Sequence, residues 1–544
     1  MSLNRKLIQL CYDSNLLISP ETFQFIKTKD QPFEFLQKTI GEITKSDKKP
    51  LVLTMDYLKK IVQQKFLFKE SSNSVSSKKK FPNPPSEAMK IPILEVSEDH
   101  KKELSSSFSP ENFSAATQVQ IKDNITILKD PTGLMLGEGK IKDIKTYFQD
   151  RFEKLRILLL KRPDCKGAMT LKQVKGQNKS ENTVKVIGLV LEKKELIPKS
   201  NGKIRNNVLN SINIMLDDLE STLSVIFSGK NEALIKKANK IVVDQVICVE
   251  GFMTEQNTLI ASDVFKPDIP HHPKKKHEIP PITTIFLSDI HFGSKYFLSD
   301  KFEVFLDWLH GKSEIQSQKE LAKWVKYIII AGDLIDGVGV YPNQDKNLAI
   351  IDISGQYNLA AKYLNRIPKH IKIIIIPGGP HDAVRKSYPQ AALNIKYAKA
   401  LYQLKNVILL GNPAYVSLHG VKVLIFHGDS FDDLIQVIHG LSYEKSSEMM
   451  KELLINRHLT PIYGYSTWIA PESEDWMVIE DIPDIFHCGH THISDFKEYR
   501  GVLMLNSGTF QAETDYQRSL GIKPTPGKIP IVNLQTLKVK FLQF

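Results

Sequence analysis

Short apolar runs alternate with amphipathic stretches between residues 282 and 544, and this alternation limits the possible folds more than any other feature of the chain. Stretches such as KFEVFLDWLHG and QYNLAAKYLNRI have the spacing of helices. The apolar runs have the length of buried strands, and they are TTIFLSD, KYIIIAGD, IKIIIIPGG, VILLG, VKVLIFHGD, IPDIFHCGH and GVLMLNSGT. Apolar strands that alternate with helices predict a layered α/β domain.

Most of these strands are followed by Asp or His. The residues concerned are Asp289, His291, Asp333, Asp336, His381, Asp382, His427, Asp429, His490 and His492. Open α/β sheets place their ligands outside the carboxyl ends of the strands, so these side chains can meet in one cleft. Strand alternation would put Asp289 and His291 on one side, and likewise His490 and His492. Carboxylates and imidazoles without thiolates are typical of a site for a hard or borderline metal ion.

The order of these motifs resembles that of the calcineurin-like metallophosphoesterase superfamily, which is D-x-H, GD-x-x-D, GNHD, a later His, and GH-x-H. Five further segments are similar to the small subunits of archaeal D-family DNA polymerases: YFQDRFEKLRILL, GVGVYPNQ, PGGPHDAVRKSYPQ, HGDSFDD and NSGTFQAETDYQ. The same family includes the non-catalytic B-subunits of eukaryotic replicative polymerases. With these segments, the resemblance extends over most of the chain.

The resemblance implies a centre of two divalent metal ions, Mn²⁺ or Mg²⁺, with Asp333 shared between them. The first ion would also bind Asp289, His291 and His492. The second would bind His427 and His490, together with the Asn of the family's GNHD motif. Two metals clamp a phosphate group and lower the pKa of a water that attacks phosphorus.

The resemblance also implies catalytic roles for two residues and a 3′→5′ exonuclease reaction. His381 would protonate the leaving 3′-oxygen or stabilise its charge. Asp382 would orient His381. Arg385 and Lys386 follow this motif, where they would contact the substrate backbone or lie in a solvated loop.

One motif departs from the family pattern. Where the family has PGNHD, this chain has Pro377-Gly378-Gly379-Pro380-His381-Asp382, with one residue inserted and no Asn. This loss predicts a weakened second metal site. Three interpretations therefore stay open: a polymerase small subunit with a proofreading nuclease, a catalytically inactive scaffold of the same polymerase, and a stand-alone metal-dependent phosphoesterase or repair nuclease.

The chain as a whole is predicted to be a multidomain α+β protein. Helical spacing in residues 1–67 predicts a small helical domain, and the Ser, Lys and Pro content of residues 68–118 predicts a flexible linker. Short strands in residues 119–265 indicate a β-barrel of the oligonucleotide-binding type, with a β-sandwich as the alternative. Residues 266–281 are predicted to form a second, Pro-rich linker, and residues 282–544 an α/β sandwich of the metallophosphoesterase type.

Charge and cysteine content narrow the class of partners. The 544 residues include 73 Lys and Arg against 61 Asp and Glu, so the net charge is +12, which favours an acidic partner such as DNA. Four scattered cysteines, the absence of a signal-peptide pattern and the lack of an apolar membrane span predict a cytoplasmic protein. The resemblance adds a large catalytic subunit as heterodimer partner, and a sliding clamp or other replisome protein as a further partner.

Overall fold

The computed structural model describes residues 10, 17–18, 20–27, 29, 31–44, 52–53, 58, 121–175, 183–196, 199–200, 203–204, 210–273, 278–519 and 521–544. The chain divides into two compact units, Met1–Ala88 and Met89–Phe544. The predicted linker at 68–118 lies outside the described residues. Within the described ranges, no helix has both the length and the apolar content that a bilayer crossing requires.

Among its described residues, the first unit has two helices and a pair of two-residue parallel strands. These elements are β1 (Leu17–Ile18), α1 (Pro20–Lys27), α2 (Pro32–Thr44) and β2 (Val52–Leu53). Ile26 of α1 and Leu36, Ile40 and Ile43 of α2 are buried, as the helical spacing predicts. Most of the further helix predicted in MDYLKKIVQQKF lies outside the described residues.

A closed five-stranded barrel, in the order β10-β8-β7-β4-β9, follows the first elements of the second unit. Along β7 the burial alternates, and Ile212, Ile214 and Leu216 point into the barrel. The elements from the start of this unit to the end of the barrel are β3 (Ile125–Lys129), α3 (Ile141–Leu160), α4 (Leu171–Lys175), β4 (Val184–Leu196), β5 (Lys199–Ser200), β6 (Lys203–Ile204), β7 (Ser211–Asp217), β8 (Thr222–Phe227), α5 (Glu232–Asn239), β9 (Val246–Met253) and β10 (Thr258–Phe265).

The described residues after the barrel, together with β3, form two six-stranded sheets. The first has the order β14-β13-β12-β11-β20-β21, with β11 to β14 parallel. The second has the order β18-β19-β17-β16-β15-β3. Their strands are β11 (Thr283–Leu287), β12 (Val325–Ala331), β13 (Lys372–Ile376), β14 (Val407–Leu409), β15 (Ala414–Leu418), β16 (Val421–Ile425), β17 (Ile485–Cys488), β18 (Asp495–Tyr499), β19 (Val502–Asn506), β20 (Lys528–Asn533) and β21 (Val539–Gln543).

Strand β3 corrects one predicted boundary. It lies in the range 119–265 assigned to the barrel, yet it pairs antiparallel with β15, with Ile125 opposite Leu418. The barrel strands therefore begin at Val184, and residues 125–129 belong to a sheet of the α/β domain. The physical reason is that β15 offers an open edge, which sequence periodicity in β3 does not reveal.

The two sheets pack face to face, and helices cover both outer faces. In β13, Ile373 and Ile375 face the helices, whereas Ile374 and Ile376 face the second sheet. Burial on both faces explains why these strands read as continuous apolar runs. The helices of this domain are α6 (Ser299–Leu309), α7 (Gln316–Lys323), α8 (Ile353–Leu364), α9 (Ile395–Tyr402), α10 (Phe431–Val437), α11 (Ser446–Asn456) and α12 (Asp515–Ser519).

The second predicted linker, residues 266–281, has no helix or strand among its described residues, but it is not free of the domain. Ile269 is fully buried, and His272 Nε2 lies 3.0 Å from Asp484 Oδ1. The Tyr499 hydroxyl donates to the Asp268 carboxylate at 3.1 Å. Residues 266–272 therefore pack along the second sheet, while residues 274–277 lie outside the described ranges.

Candidate metal centre

Loops beyond the strands of both sheets bring the predicted metal ligands together. Asp289, His291 and Asp333 follow strands of the first sheet. In the second sheet, His427 follows β16, and His490 and His492 follow β17. Ligand atoms lie within 4.8 Å of one another in each of four groups: Asp289, His291 and His492; His291, Asp333 and His381; Asp289, Asp333 and His427; and His427, Asp429 and His490. Residues far apart in sequence thus form one continuous cluster.

The backbone at these positions differs from the extended conformation that the sequence predicts. Asp289, His291 and Asp333 have φ values of 52°, 55° and 49°, and His490 and His492 have φ values of 70° and 59°. The alternation argument for these residues is therefore wrong, because β11 ends at Leu287 and β17 at Cys488. Non-glycine residues in the left-handed region carry strain, and such residues concentrate at functional sites.

Backbone hydrogen bonds hold the ligand loops against each other. The Asp289 N–H donates to the Gly332 carbonyl at 3.0 Å, and the His291 N–H donates to the Asp333 carbonyl at 3.1 Å. The His490 N–H donates to Asp289 Oδ2 at 3.0 Å, which ties a loop of the second sheet to a loop of the first. The relative positions of the ligands are therefore set by the main chain.

At one end of the cluster, three buried groups converge on a single point. His291 Nε2 and His492 Nε2 lie 3.2 Å apart, and His492 Nε2 lies 3.4 Å from Asp289 Oδ1. One proton at most can lie between two facing ring nitrogens, whereas a cation satisfies both nitrogens and the carboxylate. On its other side, His291 Nδ1 lies 3.1 Å from Asp336 Oδ1, so Asp336 orients this imidazole.

Asp333 lies between His291, which belongs to the group just described, and His427. Its Oδ2 is 3.9 Å from His291 Nε2 and 3.4 Å from His427 Nε2. The His427 Nδ1–H donates to the Ala331 carbonyl at 2.7 Å, so Nε2 is the ring nitrogen that faces the cluster. This geometry suits an Asp that bridges two cations.

Three buried ligand atoms test whether these residues suit a divalent metal. Asp289 Oδ1, Asp333 Oδ1 and His427 Nε2 are buried and have no hydrogen-bond partner. An unpaired buried polar atom costs free energy, so three of them in one cluster need a partner. Carboxylate oxygens and an imidazole nitrogen are good ligands for Mn²⁺, and the residues therefore fit the predicted metal.

At the other end of the cluster lies the group of His427, Asp429 and His490. His490 Nδ1 lies 3.5 Å from Asp429 Oδ1, and its Nε2 lies 3.1 Å from Asp432 Oδ1. Sequence analysis places Asp429 at a strand end without a ligand role, and it does not identify Asp432. The HGDSFDD segment carries both carboxylates, but sequence alone does not indicate which way they point.

The carboxylates and imidazoles shift each other's pKa values. Burial by itself raises the pKa of Asp333, but the charges of His427 and His381 outweigh burial and hold it well below its usual range. Burial lowers the pKa of His490, but the Asp432 carboxylate outweighs burial and raises it to about 9. A bound cation replaces the protons that these groups share, so metal binding releases protons.

His381 lies at this cluster despite the inserted residue before it. Its Nδ1–H donates to the Asp336 carbonyl at 2.7 Å, and its ring packs edge-on to His291 with the centroids 4.7 Å apart. The Nε2 atom is therefore the one available to a substrate. The carboxylate of Asp382, which is predicted to orient His381, accepts from the backbone N–H of Gly378 at 3.1 Å and from the Tyr357 hydroxyl at 3.1 Å.

Asp382 and Arg385 both hold the loop around His381 in place through their hydrogen bonds. Burial, with the charge of Asp333 adding to it, raises the pKa of Asp382 to about 7. Arg385 Nη2 donates to the buried Glu472 Oε1 at 2.8 Å, and its Nε donates to the Pro389 carbonyl at 2.8 Å. These contacts differ from the predicted contact with substrate. Lys386 is exposed, and its role stays a prediction.

Gly379 lies in the loop where the family motif has its Asn, and its backbone comes close to Asp333 and His427. Its φ is +52°, and a Cβ at this position would lie 2.9 Å from Asp333 Oδ1 and 3.3 Å from His427 Nε2. Any side chain here would enter the cluster directly. Glycine therefore keeps the space between Asp333 and His427 open.

The solved structures that resemble this chain are distant in sequence. A solved archaeal phosphodiesterase is 15% identical, with 48% of this chain and 98% of its own chain covered and a TM-score of 0.24.

Sequence relatives are far closer. Residues 284–497 match the family model for the B subunit of DNA polymerases alpha and epsilon. The DNA polymerase II small subunit of Methanothermobacter thermautotrophicus is 40% identical over 413 residues, which cover 76% of this chain and 82% of the relative. The corresponding protein of Archaeoglobus fulgidus is 42% identical, covering 75% and 78%. That of Pyrococcus furiosus is 38% identical, covering 78% and 69%. This chain therefore belongs to the family of archaeal DNA polymerase II small subunits, as its motifs predict.

Proposed function

We propose that this small subunit carries a metal-dependent 3′→5′ exonuclease site that removes terminal nucleotides from DNA. The single observation that carries the proposal is the set of buried, unpaired ligand atoms of Asp289, Asp333 and His427. A purely architectural role would not require this cluster of buried ligand atoms, because buried polar atoms without a hydrogen-bond partner cost free energy that a bound cation would offset.

The proposed ligands divide between two divalent cations, Mn²⁺ or Mg²⁺. Asp289, His291 and His492 would hold one cation, His427 and His490 the other, and Asp333 both. When bound, the cations would supply Lewis acidity that activates water as a nucleophile and neutralises charge on the phosphate. The protein holds the ligands rigidly through the backbone bonds between their loops.

His381 is the proposed general acid. Donation of its Nδ1–H to the Asp336 carbonyl fixes the ring, and Nε2 then holds the second proton of the charged imidazole. That proton passes to the leaving 3′-oxygen as its bond to phosphorus breaks. Asp382 contributes indirectly, because its bonds to the Gly378 N–H and Tyr357 hydroxyl fix the loop that precedes His381.

The proposed assembly is a heterodimer with a large catalytic subunit, with DNA as the shared substrate. The closed five-stranded barrel is the topology expected of an oligonucleotide-binding fold, which supports that assignment for the barrel within 119–265. Residues 1–67 would form a separate helical domain that recruits a sliding clamp or another replisome protein, connected through 68–118. Residues 266–281 would connect the barrel to the domain at 282–544.

The experiment uses the purified two-subunit complex, single-stranded DNA labelled at its 5′ end, and Mn²⁺. We expect a ladder of shortened products, abolished by a chelator and by Asp333→Asn. Asp307→Asn, the same change at an exposed residue paired with Lys312, should leave the ladder unchanged. An intact complex that shortens no DNA in Mn²⁺ would favour the inactive scaffold instead.

A further inference from the structure

The second cation position lacks the Asn that the family motif supplies, since Gly379 and Pro380 offer no side-chain ligand. We propose that Asp429 supplies the missing oxygen ligand from the opposite sheet. This inference rests on the two-cation site proposed above and assigns a residue to its second position. The motif loop that follows β13 would thus give up a ligand, and the loop that follows β16 would provide one.

The distances among the candidate ligands suit one cation. His427 Nε2 lies 3.4 Å from Asp333 Oδ2 and 4.0 Å from Asp429 Oδ1, and Asp429 Oδ1 lies 3.5 Å from His490 Nδ1. Six ligands at about 2.1 Å from an ion lie about 3.0 Å apart when adjacent and about 4.2 Å apart when opposite. The three observed separations fall between these two limits.

Tyr388 sets the orientation of the Asp429 carboxylate. The Tyr388 hydroxyl donates to Asp429 Oδ2, so Oδ1 is the oxygen that faces the two imidazoles. Tyr388 is 1% exposed, its N–H donates to the Trp468 carbonyl at 2.8 Å, and the Asn412 side-chain amide donates to its hydroxyl at 3.3 Å. A fully buried tyrosine held at both ends gives the carboxylate a fixed direction.

His490 has the support typical of a metal-binding histidine. Its Nε2–H donates to Asp432 Oδ1 at 3.1 Å, so Nδ1 is the ring nitrogen that faces Asp429 and the cluster. The Tyr443 hydroxyl donates to the same Asp432 oxygen at 2.9 Å. A carboxylate that accepts from the distal nitrogen fixes the tautomer of a ligating imidazole and increases its basicity.

Replacing a neutral amide with a carboxylate also changes the charge of the site. With Asp333 and Asp429, the second position has two anionic ligands, where the family motif provides Asp333 and an Asn. Gly379 leaves room for this arrangement, because a side chain there would lie against Asp333 and His427. The sequence predicts a weakened second metal site because the Asn is missing. With Asp429 as the oxygen ligand, the second site instead keeps its full set of ligands.

Manganese binding to the purified two-subunit complex tests the inference without relying on activity. Mn²⁺ is titrated into the metal-free complex, and electron paramagnetic resonance reports free ions, single bound ions and magnetically coupled pairs. The Asp333→Ala complex gives the background from metal sites elsewhere. We expect the wild type to bind two ions above this background with a coupled-pair signal, and Asp429→Ala to bind one ion with an uncoupled signal.

Two further variants control for folding and charge. Asp429→Asn keeps the volume and one oxygen, so it should bind both ions with the second weakened by roughly tenfold or more. Asp307→Asn should match the wild type. If Asp429→Ala binds two coupled Mn²⁺ ions as tightly as the wild type, Asp429 is not a ligand. That result would leave the two-metal site and the proposed nuclease standing. Equal binding by wild type and Asp333→Ala would overturn the metal centre itself, and with it the proposed nuclease.

Discussion

Arg151 of α3 joins this helix to the α/β domain through a buried polar cluster, and its removal tests how the two are held together. Its side chain is fully buried, with Nε donating to Asp475 Oδ2 at 2.7 Å and Nη2 donating to the Tyr147 hydroxyl at 2.7 Å. Asp475 Oδ2 also lies 2.8 Å from His458 Nε2. Burial and the charge of Arg151 lower the pKa of His458 to about 4, so this histidine is neutral at pH 7.

Arg151→Ala leaves a buried carboxylate without its cationic partner, which costs about 3–5 kcal/mol at pH 7. The pKa of His458 should rise in the variant, because the repulsion by Arg151 is gone. At pH 5 the folded variant would then bind a proton on His458 that the folded wild type does not bind. The cost of the substitution should therefore fall at pH 5, by up to about 1.4 kcal/mol for each unit by which the pKa of His458 rises above 5.

Guanidinium unfolding at pH 7 and pH 5, followed by tryptophan fluorescence, measures both effects. Trp476 is 6% exposed and adjacent to Asp475, so it reports on this region. Arg156→Ala is the matched control on the same helix, since Arg156 is 37% exposed and pairs with Glu153 at 3.1 Å, worth at most about 1 kcal/mol. A loss below about 1 kcal/mol for Arg151→Ala at pH 7, or a loss that grows at pH 5, would refute the reasoning.

Four further outcomes follow from the site. His381→Gln should reduce exonuclease turnover by about 10²–10⁴-fold while the number of bound Mn²⁺ ions stays constant, as nuclease and metal-binding assays would show. Gly379→Ala should weaken Mn²⁺ binding in a titration, because the new Cβ would lie 2.9 Å from Asp333 Oδ1 and the φ of +52° is unfavourable for alanine. Arg385→Ala should lower the melting temperature, because it leaves the buried Glu472 without its cation, and it should leave the affinity for DNA nearly unchanged. Saturating Mn²⁺ at about 100 times Kd should stabilise the wild type by about 2.7 kcal/mol in thermal unfolding, and an Asp333→Ala chain should not respond.

Sequence reasoning succeeds where one local pattern determines the structure. The run IKIIIIPGG is apolar on both faces, and the structure buries Ile373 and Ile374 on opposite sides of one strand. Because parallel strands of one sheet end at the same edge, the convergence of Asp289 and Asp333 is predictable from their positions after β11 and β12. The family assignment follows from the same motifs.

The features that sequence reasoning misses depend on contacts between distant segments. The partner of β3 is β15, and nothing in the pattern of ITILK distinguishes a barrel strand from an edge strand. The direction of Asp429 depends on Tyr388, and that of His381 on the carbonyl of Asp336. Left-handed backbone at Asp289 is likewise hard to predict from the sequence, because glycine is the residue whose identity indicates that region most strongly.

The position of the ligands beyond the strand ends explains how the motif loop can change while the fold persists. Every candidate ligand lies outside the β-ladders, so replacing one leaves the pairing and the apolar core untouched. The insertion before His381 is absorbed in the same way, since Asp382 still accepts from the N–H groups of Leu334 and Gly378 and thereby fixes the loop. In this chain the ligand set can therefore change without a change of fold, and the loss of one motif residue is weak grounds for inferring an inactive site. The relevant test is whether another oxygen lies close enough to bind the second cation, and Asp429 Oδ1, 4.0 Å from His427 Nε2, is the atom that we propose for this role.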